Sequence, residues 1–196
     1  MQSIFTRVSA VCLAAIIFSC LAEPAKAETC AQKYIQTELI DAVMRYCVSS
    51  VLPAQGVGSY GPENLLGYDK EFAGAWCEGA TGAGKGEWIE QQIRSGIPVR
   101  SIYISNGYQK SVSAFNANGR ARQVKITTSN GTIVNAELSD VQGDQKIKLP
   151  VWENVDYIRM TIISTYPGRR YADTCISGLA MDFEEMRELE FKQMNQ

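Results

Sequence analysis

Two loops combine tyrosine rings with side chains that donate and accept hydrogen bonds in fixed directions. Asn106, Tyr108 and Lys110 lie in the first, Asn106-Gly107-Tyr108-Gln109-Lys110-Ser111. Tyr166, Arg169, Arg170, Tyr171 and Asp173 lie in the second, Tyr166-Pro167-Gly168-Arg169-Arg170-Tyr171-Ala172-Asp173. A sugar presents hydroxyls at set angles and a flat C–H face, so a ring beside an amide, a carboxylate or a guanidinium is the composition that holds one. Tyrosine suits the task because it offers contact area at low entropy cost. The competing reading, tyrosines in a core and a solvated arginine pair, is open at the level of residues. Trp76 and Trp88 neighbour β-prone apolar residues and are expected in the core.

Other chemistry is poorly supplied. The chain has 196 residues and no histidine, which removes Ser-His and Cys-His nucleophiles, histidine-ligated metals and the usual base near neutral pH. Glu78, Glu87, Glu90 and Asp173 could supply a glycosidase pair. Glu87 and Glu90 are three apart on a predicted strand and so face opposite ways, and nothing in the sequence forces any two together. Gly82-x-Gly84-x-Gly86 lacks the Lys-Ser/Thr ending of a phosphate loop and reads as a flexible loop. No cofactor and no metal ligand set can be assigned, and Ca2+ is left open. The formal net charge of −2 gives no bulk attraction to nucleic acid.

The N-terminus indicates the compartment. Arg7, the uncharged run Val8 to Ala22 and the site Ala25-Lys26-Ala27 are the parts of a secretory signal peptide over residues 1–27. This run of 15 residues is short of the ~20 a spanning helix needs, so no transmembrane helix is expected in the mature chain. Ile17-Phe18-Ser19-Cys20 resembles a lipobox and offers the alternative of a lipid anchor at Cys20, although Phe18 fits that motif poorly. Cleavage after Ala27 removes two basic residues and one acidic residue, which takes the formal charge to −3. Cys30, Cys47, Cys77 and Cys175 remain, and in an exported chain they suggest two disulfides with three possible pairings.

The elements that must position these loops are short strands. Segments 87–93, 99–106, 122–128, 132–138, 145–149, 157–165 and 175–181 read as β-strands. Several alternate: Ile102 with Ile104, Val124 with Ile126, Val134 with Ala136 and Leu138, Ile158 with Met160 and Ile162. Asn130-Gly131 predicts a hairpin turn, since both residues tolerate positive φ. Seven or eight such strands predict an all-β antiparallel sandwich of jelly-roll type over residues 46–181. Ile35, Leu39, Ala42 and Val43 fall at helical spacing, and Thr37 could cap, so 28–45 is expected to be a short helical segment. The charged stretch 182–196 is expected to be a C-terminal helix or tail.

The strings YGPENLL, AWCEG, GEWIE, NGYQKS, NGR and YPGRRYADTCIS resemble the NADase-type glycan-binding domain family, a branch of the discoidin-like, galactose-binding-like jelly rolls. The resemblance covers about residues 46–181. It implies a non-catalytic sandwich that binds a glycan or glycoconjugate through loops at one end, and the N-terminal signal adds the expectation of a periplasmic or secreted location. Two positions depart from the family pattern. Leu65-Leu66-Gly67-Tyr68-Asp69 stands where LLDGD is usual, and Gly178 stands where an acidic residue follows DTCIS. Cys77 and Cys175 both sit in motifs of the resemblance, which points to Cys77–Cys175 and leaves Cys30–Cys47. The second pair, 17 residues apart, requires the chain to turn back, because one continuous helix would part them by ~25 Å. The rival readings are a structural or protein-binding envelope module of the same fold and, less favoured, a glycoside hydrolase.

Overall fold

The computed structural model describes residues 28–38, 40–56, 58–67, 74–185, 187, 188 and 192. The expected signal peptide and the lipobox alternative at Cys20 lie outside the described residues, as do Tyr68 and Asp69.

Alternation decides the architecture. Ile102 and Ile104, Val124 and Ile126, and Ile158, Met160 and Ile162 are all fully or almost fully buried. Each set projects from one face of its strand, because successive side chains point to opposite sides. Two antiparallel sheets stack on these faces. The first, of six strands, is ordered β1 (Thr29–Gln36), β2 (Asp41–Val48), β4 (Trp88–Gln92), β9 (Tyr157–Tyr166), β6 (Arg120–Thr128), β7 (Ile133–Glu137). The second, of four, is ordered β3 (Trp76–Cys77), β10 (Cys175–Met181), β5 (Val99–Asn106), β8 (Asp144–Glu153). Fully buried Trp76 fills the core between them and donates its indole N–H to Ser50 O at 2.7 Å. Tyr46, also buried, donates its hydroxyl to Leu179 O and so ties one sheet to the other.

The expected all-β sandwich is therefore present, with one correction at its N-terminal boundary. Residues 28–45 are not helical. They form the β1–β2 hairpin and extend the six-stranded sheet, with β2 paired to β4. Thr37 does accept the N–H of Ile40 on its hydroxyl at 3.0 Å, as a cap would, but Thr37 N–H donates to Ile40 O at 2.8 Å and closes a hairpin turn. The helical spacing of Ile35, Ala42 and Val43 was coincidental. Burial of Met44, Tyr46 and Val48 on one face, and pairing with β4, outweigh local periodicity in so short a segment.

Both expected disulfides form. Cys30 lies opposite Cys47 in the β1–β2 register, and Cys77 opposite Cys175 across β3 and β10. At Asn130-Gly131 the turn is as expected, but only Gly131 takes a positive φ, of 83°. A short helix, α1 (Val112–Ala117), follows the Tyr108 loop. In the C-terminal stretch, residues 184, 185, 187, 188 and 192 are helical.

Candidate functional site

The Cys77–Cys175 disulfide is the floor of the site. Its cysteines are fully buried with Ala75, and Leu52, Tyr60 and Tyr108 pack against them. The rings of Tyr60 and Tyr108 meet edge to face, with centroids 6.5 Å apart and planes at 87°, which brings the positive ring edge to the negative face. Backbone bonds hold the floor in place: Leu52 N–H donates to Cys77 O at 2.9 Å, and Cys77 N–H to Tyr60 O at 3.1 Å.

The walls are the two tyrosine loops. Ser111 caps α1 by accepting the N–H of Ala114 at 3.1 Å, and Phe115 anchors the helix inward. The second loop runs against that helix. Arg169 N–H donates to Asn116 O at 2.9 Å, while Arg170 and Tyr171 N–H donate to Ala117 O at 3.0 and 2.9 Å. Gly119 N–H donates to Asp173 O at 2.9 Å. The walls touch closely at Gly168, where a Cβ would stand 2.4 Å from Tyr171 O and 2.5 Å from Ala117 O, so no side chain fits there. Arg120 braces both walls from behind. It is buried, forks onto Asp140 at 2.8 and 2.7 Å, donates to Asn118 O and Pro167 O at 2.8 and 3.0 Å, and lies over the Phe115 ring. A guanidinium is the side chain able to serve all these acceptors at once.

Between the walls is a cleft of about 330 Å3, open on one side. Tyr60, Tyr108, Lys110, Asn118, Tyr171 and Asp173 line it, with Ser111 and Ser113 at the edge. The hydroxyls of Tyr60 and Tyr108, the Lys110 ammonium and the Asp173 carboxylate have no hydrogen-bond or ion-pair partner among the described residues. Arg170 lies 5.1 Å from the centroid of the Tyr171 ring.

Four of the eight residues singled out from the sequence thus share one cleft: Tyr108, Lys110, Tyr171 and Asp173. Arg169 and Arg170 are exposed on the same loop, beside the lining residue Tyr171. Two are elsewhere. Asn106 is fully buried, its amide donating to Ala121 O and accepting Ala121 N–H at 2.8 and 3.0 Å, so it joins β5 to β6 instead of facing the cleft. Tyr166 donates its hydroxyl to Leu138 O at 2.9 Å and stacks under Arg122, outside the cleft lining. Tyr60, Ser111 and Asn118 were not singled out as site residues. Tyr60 and Asn118 sit in the YGPEN and NGR strings, which was the available signal.

The remaining carboxylates are engaged in holding the fold. Glu78, fully buried, accepts the N–H of Thr174 at 3.1 Å and of Ala80 at 2.8 Å, which fastens the 78–86 loop to the strand beneath Asp173. Burial pushes its carboxyl above its ordinary value, against the lowering effect of those two N–H groups. Glu87 accepts the hydroxyls of Ser49 and Ser50, and Glu90 accepts the Arg159 guanidinium at 2.8 Å, which also lies over Trp88. Glu28, Cys30 and Cys47 are close enough to share an ion, but the two sulfurs are bonded to each other and are not thiolate ligands. Gly178 sits in β10 opposite Ser105.

Comparison with known proteins agrees with this architecture. The family-32 carbohydrate-binding module of C. perfringens NanJ, in complex with galactose, superposes with a TM-score of 0.50 at 12% identity, over 70% of this chain and 92% of that one. The family-32 module of Streptococcus pneumoniae EndoD gives 0.51 at 11% identity, over 70% and 94%. The mycobacterial arabinofuranosyltransferase AftD gives 0.53 at 16% identity over 76% of this chain, which spans 12% of that much longer protein. At such identities the likeness is one of fold. No curated protein matches by sequence. The model of the NAD glycohydrolase translocation F5/8 type C domain matches residues 34–182, including the β1–β2 hairpin from Tyr34 onward. The chain belongs to the NAD glycohydrolase translocation F5/8 type C domain family.

Proposed function

We propose that the protein is an exported, non-catalytic module that binds a glycan in the cleft between the Tyr108 and Tyr171 loops. The observation that carries this is the set of polar groups without partners among the described residues, at Tyr60, Tyr108, Lys110 and Asp173, arranged around tyrosine rings in a walled cleft. Unpaired polar groups on a braced frame lose little entropy when they bind, whereas the same groups on free loops would first have to be ordered. A sugar ring stacks on tyrosine, its hydroxyls donate to Asp173 and accept from Lys110 and Asn118. The related module in complex with galactose supports the reading at the level of fold. Export is supported by two disulfides and by the N-terminal sequence.

A glycan array on the purified protein, run with and without Ca2+, tests the proposal. Binding that fails with Tyr171→Ala supports it, and an empty array defeats it. Steady release of nicotinamide from NAD, or of reducing sugar from a glycan, above a Glu78→Gln control would defeat the non-catalytic part.

A second reading has its own observation. The family description names translocation, which favours a module that contacts another protein. An empty array together with an intact fold would leave that reading in place.

A further inference from the structure

We infer that the glycan taken by this cleft is anionic, a sugar bearing a carboxylate, held by Lys110 and Arg170. The inference rests on the glycan-binding reading above and deepens it.

The support lies in how the arginines are distributed. Nine arginines are described, and seven have a side-chain partner. Arg94, Arg120, Arg122, Arg159 and Arg187 are paired with carboxylates. Arg45 donates to Cys30 Sγ and Arg100 to Leu149 O. Arg169 and Arg170 are the two described arginines whose guanidinium groups make neither an ion pair nor a hydrogen bond among the described residues. Both are exposed on the loop that contributes Tyr171 and Asp173 to the cleft, beside its lining, and Lys110 lines the opposite wall. Asp173 is the one carboxylate lining the cleft. Lys110 and Asp173 balance within the lining, and the exposed Arg169 and Arg170 beside it make the rim positive, in a chain whose formal charge is −2.

Chance placement of surface cations would scatter unpaired arginines over the molecule. Here they are confined to one loop, and Arg170 is steered over the Tyr171 ring. A cation held over an aromatic face is still able to donate outward. A carboxylate, the commonest acidic group of sugars themselves, is one that a guanidinium fork and an ammonium both match. Asp173 then has a separate task, accepting sugar hydroxyls away from the acidic substituent. A neutral sugar would leave Lys110 and Arg170 without a partner in the complex.

The test uses matched ligands that differ in charge: oligogalacturonate against its methyl ester, and sialyllactose against lactose. Binding is measured by calorimetry at low and high NaCl on the purified protein, Lys110→Met and Arg170→Gln. These side chains are exposed, and a thermal melt of each variant confirms that it is folded. We expect at least one acid to bind about tenfold or more tighter than its neutral partner, the scale of one charge-assisted hydrogen bond. We expect salt to erode the preference, and either substitution to remove most of it. Equal binding of acid and neutral partner in both pairs, or a preference that survives both substitutions, overturns the inference and leaves glycan binding standing. Failure of every acidic and neutral glycan, on these pairs and on the array, overturns both.

Discussion

The cleft beside the β1–β2 hairpin encloses about 660 Å3, twice the 330 Å3 of the cleft between the tyrosine loops. It is lined by Ile35, Ile40, Met44, Ile93, Met181 and Phe183, members of the core or packed against it. The acidic groups at its mouth are already engaged: Asp144 accepts from Ser105, Asp182 from Lys146 at 2.9 Å, and Glu184 from Arg187 at 2.6 Å. In the smaller cleft the reverse holds. Its floor is a disulfide, its walls are braced by buried Arg120, and its polar tips are unpaired. The larger hollow is an edge of the core, and the smaller one is the site of the proposed glycan contact. The proposal follows placed polar groups instead of size, because a few convergent polar groups fix a ligand's orientation.

The comparison breaks most visibly at the disulfides. Replacing Cys77 and Cys175 together by Ser opens a loop of 98 residues and removes the floor of the smaller cleft. The expected loss is about 4–5 kcal/mol in the chain-entropy model, with glycan binding lost as well. The same exchange at Cys30 and Cys47, 17 residues apart, should cost about 3 kcal/mol and leave binding intact. Guanidinium unfolding with calorimetry on each double variant measures both. Loss of binding in the hairpin variant would refute the separation of the two regions.

Next in size is Met44→Ala, beside the larger cleft. Met44 is almost fully buried, so about 2–5 kcal/mol of stability should be lost, with no change in sugar affinity of the folded protein. A drop in affinity would show that the hairpin side feeds the smaller cleft.

Glu78 sharpens the contrast from below the floor. A Gln there places an amide N–H2 against one of two backbone N–H groups, at a cost of about 1–3 kcal/mol at neutral pH. The pH profile carries a sign. The carboxyl titrates above its ordinary 4.5 in the folded state, so the fold binds the proton more readily than the unfolded chain does. The stabilising effect of protonation is fully present below pH 4.5 and is lost as pH rises through the raised value. The difference in stability between wild type and Glu78→Gln should therefore change across the window just above 4.5 and be flat well above it. A flat difference throughout that window would be inconsistent with this assignment.

The smallest effect on stability is expected at Tyr171. It is 37% exposed at the rim, so Tyr171→Ala should weaken glycan binding by about 1–3 kcal/mol while the thermal midpoint stays nearly fixed. Tyr108→Ala should lower both, since that ring also packs on the disulfide floor. Equal melting shifts for the two would show that the rim and the floor are not distinct.

What could be read in the sequence was whatever repeats along the chain. Strands β5 and β10 begin and end where alternation and flanking turns placed them, at Val99–Asn106 and Cys175–Met181. A period-2 pattern is a local imprint of one buried face, so it survives in one dimension. The N-terminal hairpin did not survive, because eight residues with mixed burial carry too little periodicity to oppose a chance helical spacing. The cysteine count left three pairings open, and the family motifs around Cys77 and Cys175 pointed to one of them, with Cys30–Cys47 as the remaining pair; the β1–β2 hairpin supplies the turn-back that this pair needs.

The loops mark the boundary between what the sequence decided and what the tertiary structure decided. Composition assigned Tyr108, Lys110, Tyr171 and Asp173 to a chemistry, and the strings around them assigned a family. Asn106 and Tyr166 have the same composition and immediate surroundings, yet one is a buried staple between strands and the other is bonded to Leu138. Nothing local separates these cases, because whether a polar side chain is satisfied depends on partners far along the chain: Ala121 for Asn106, Leu138 for Tyr166, Asp140 for Arg120. The sequence by itself determined the strand pattern from β4 onward and the chemical vocabulary of the loops, while the disulfide pairing followed from the family motifs around Cys77 and Cys175. Only the packed structure decided which of those groups have their hydrogen bonds met inside the protein and which are left to meet a ligand. Satisfaction of a polar group is set by three-dimensional neighbours and leaves no periodic trace in one dimension.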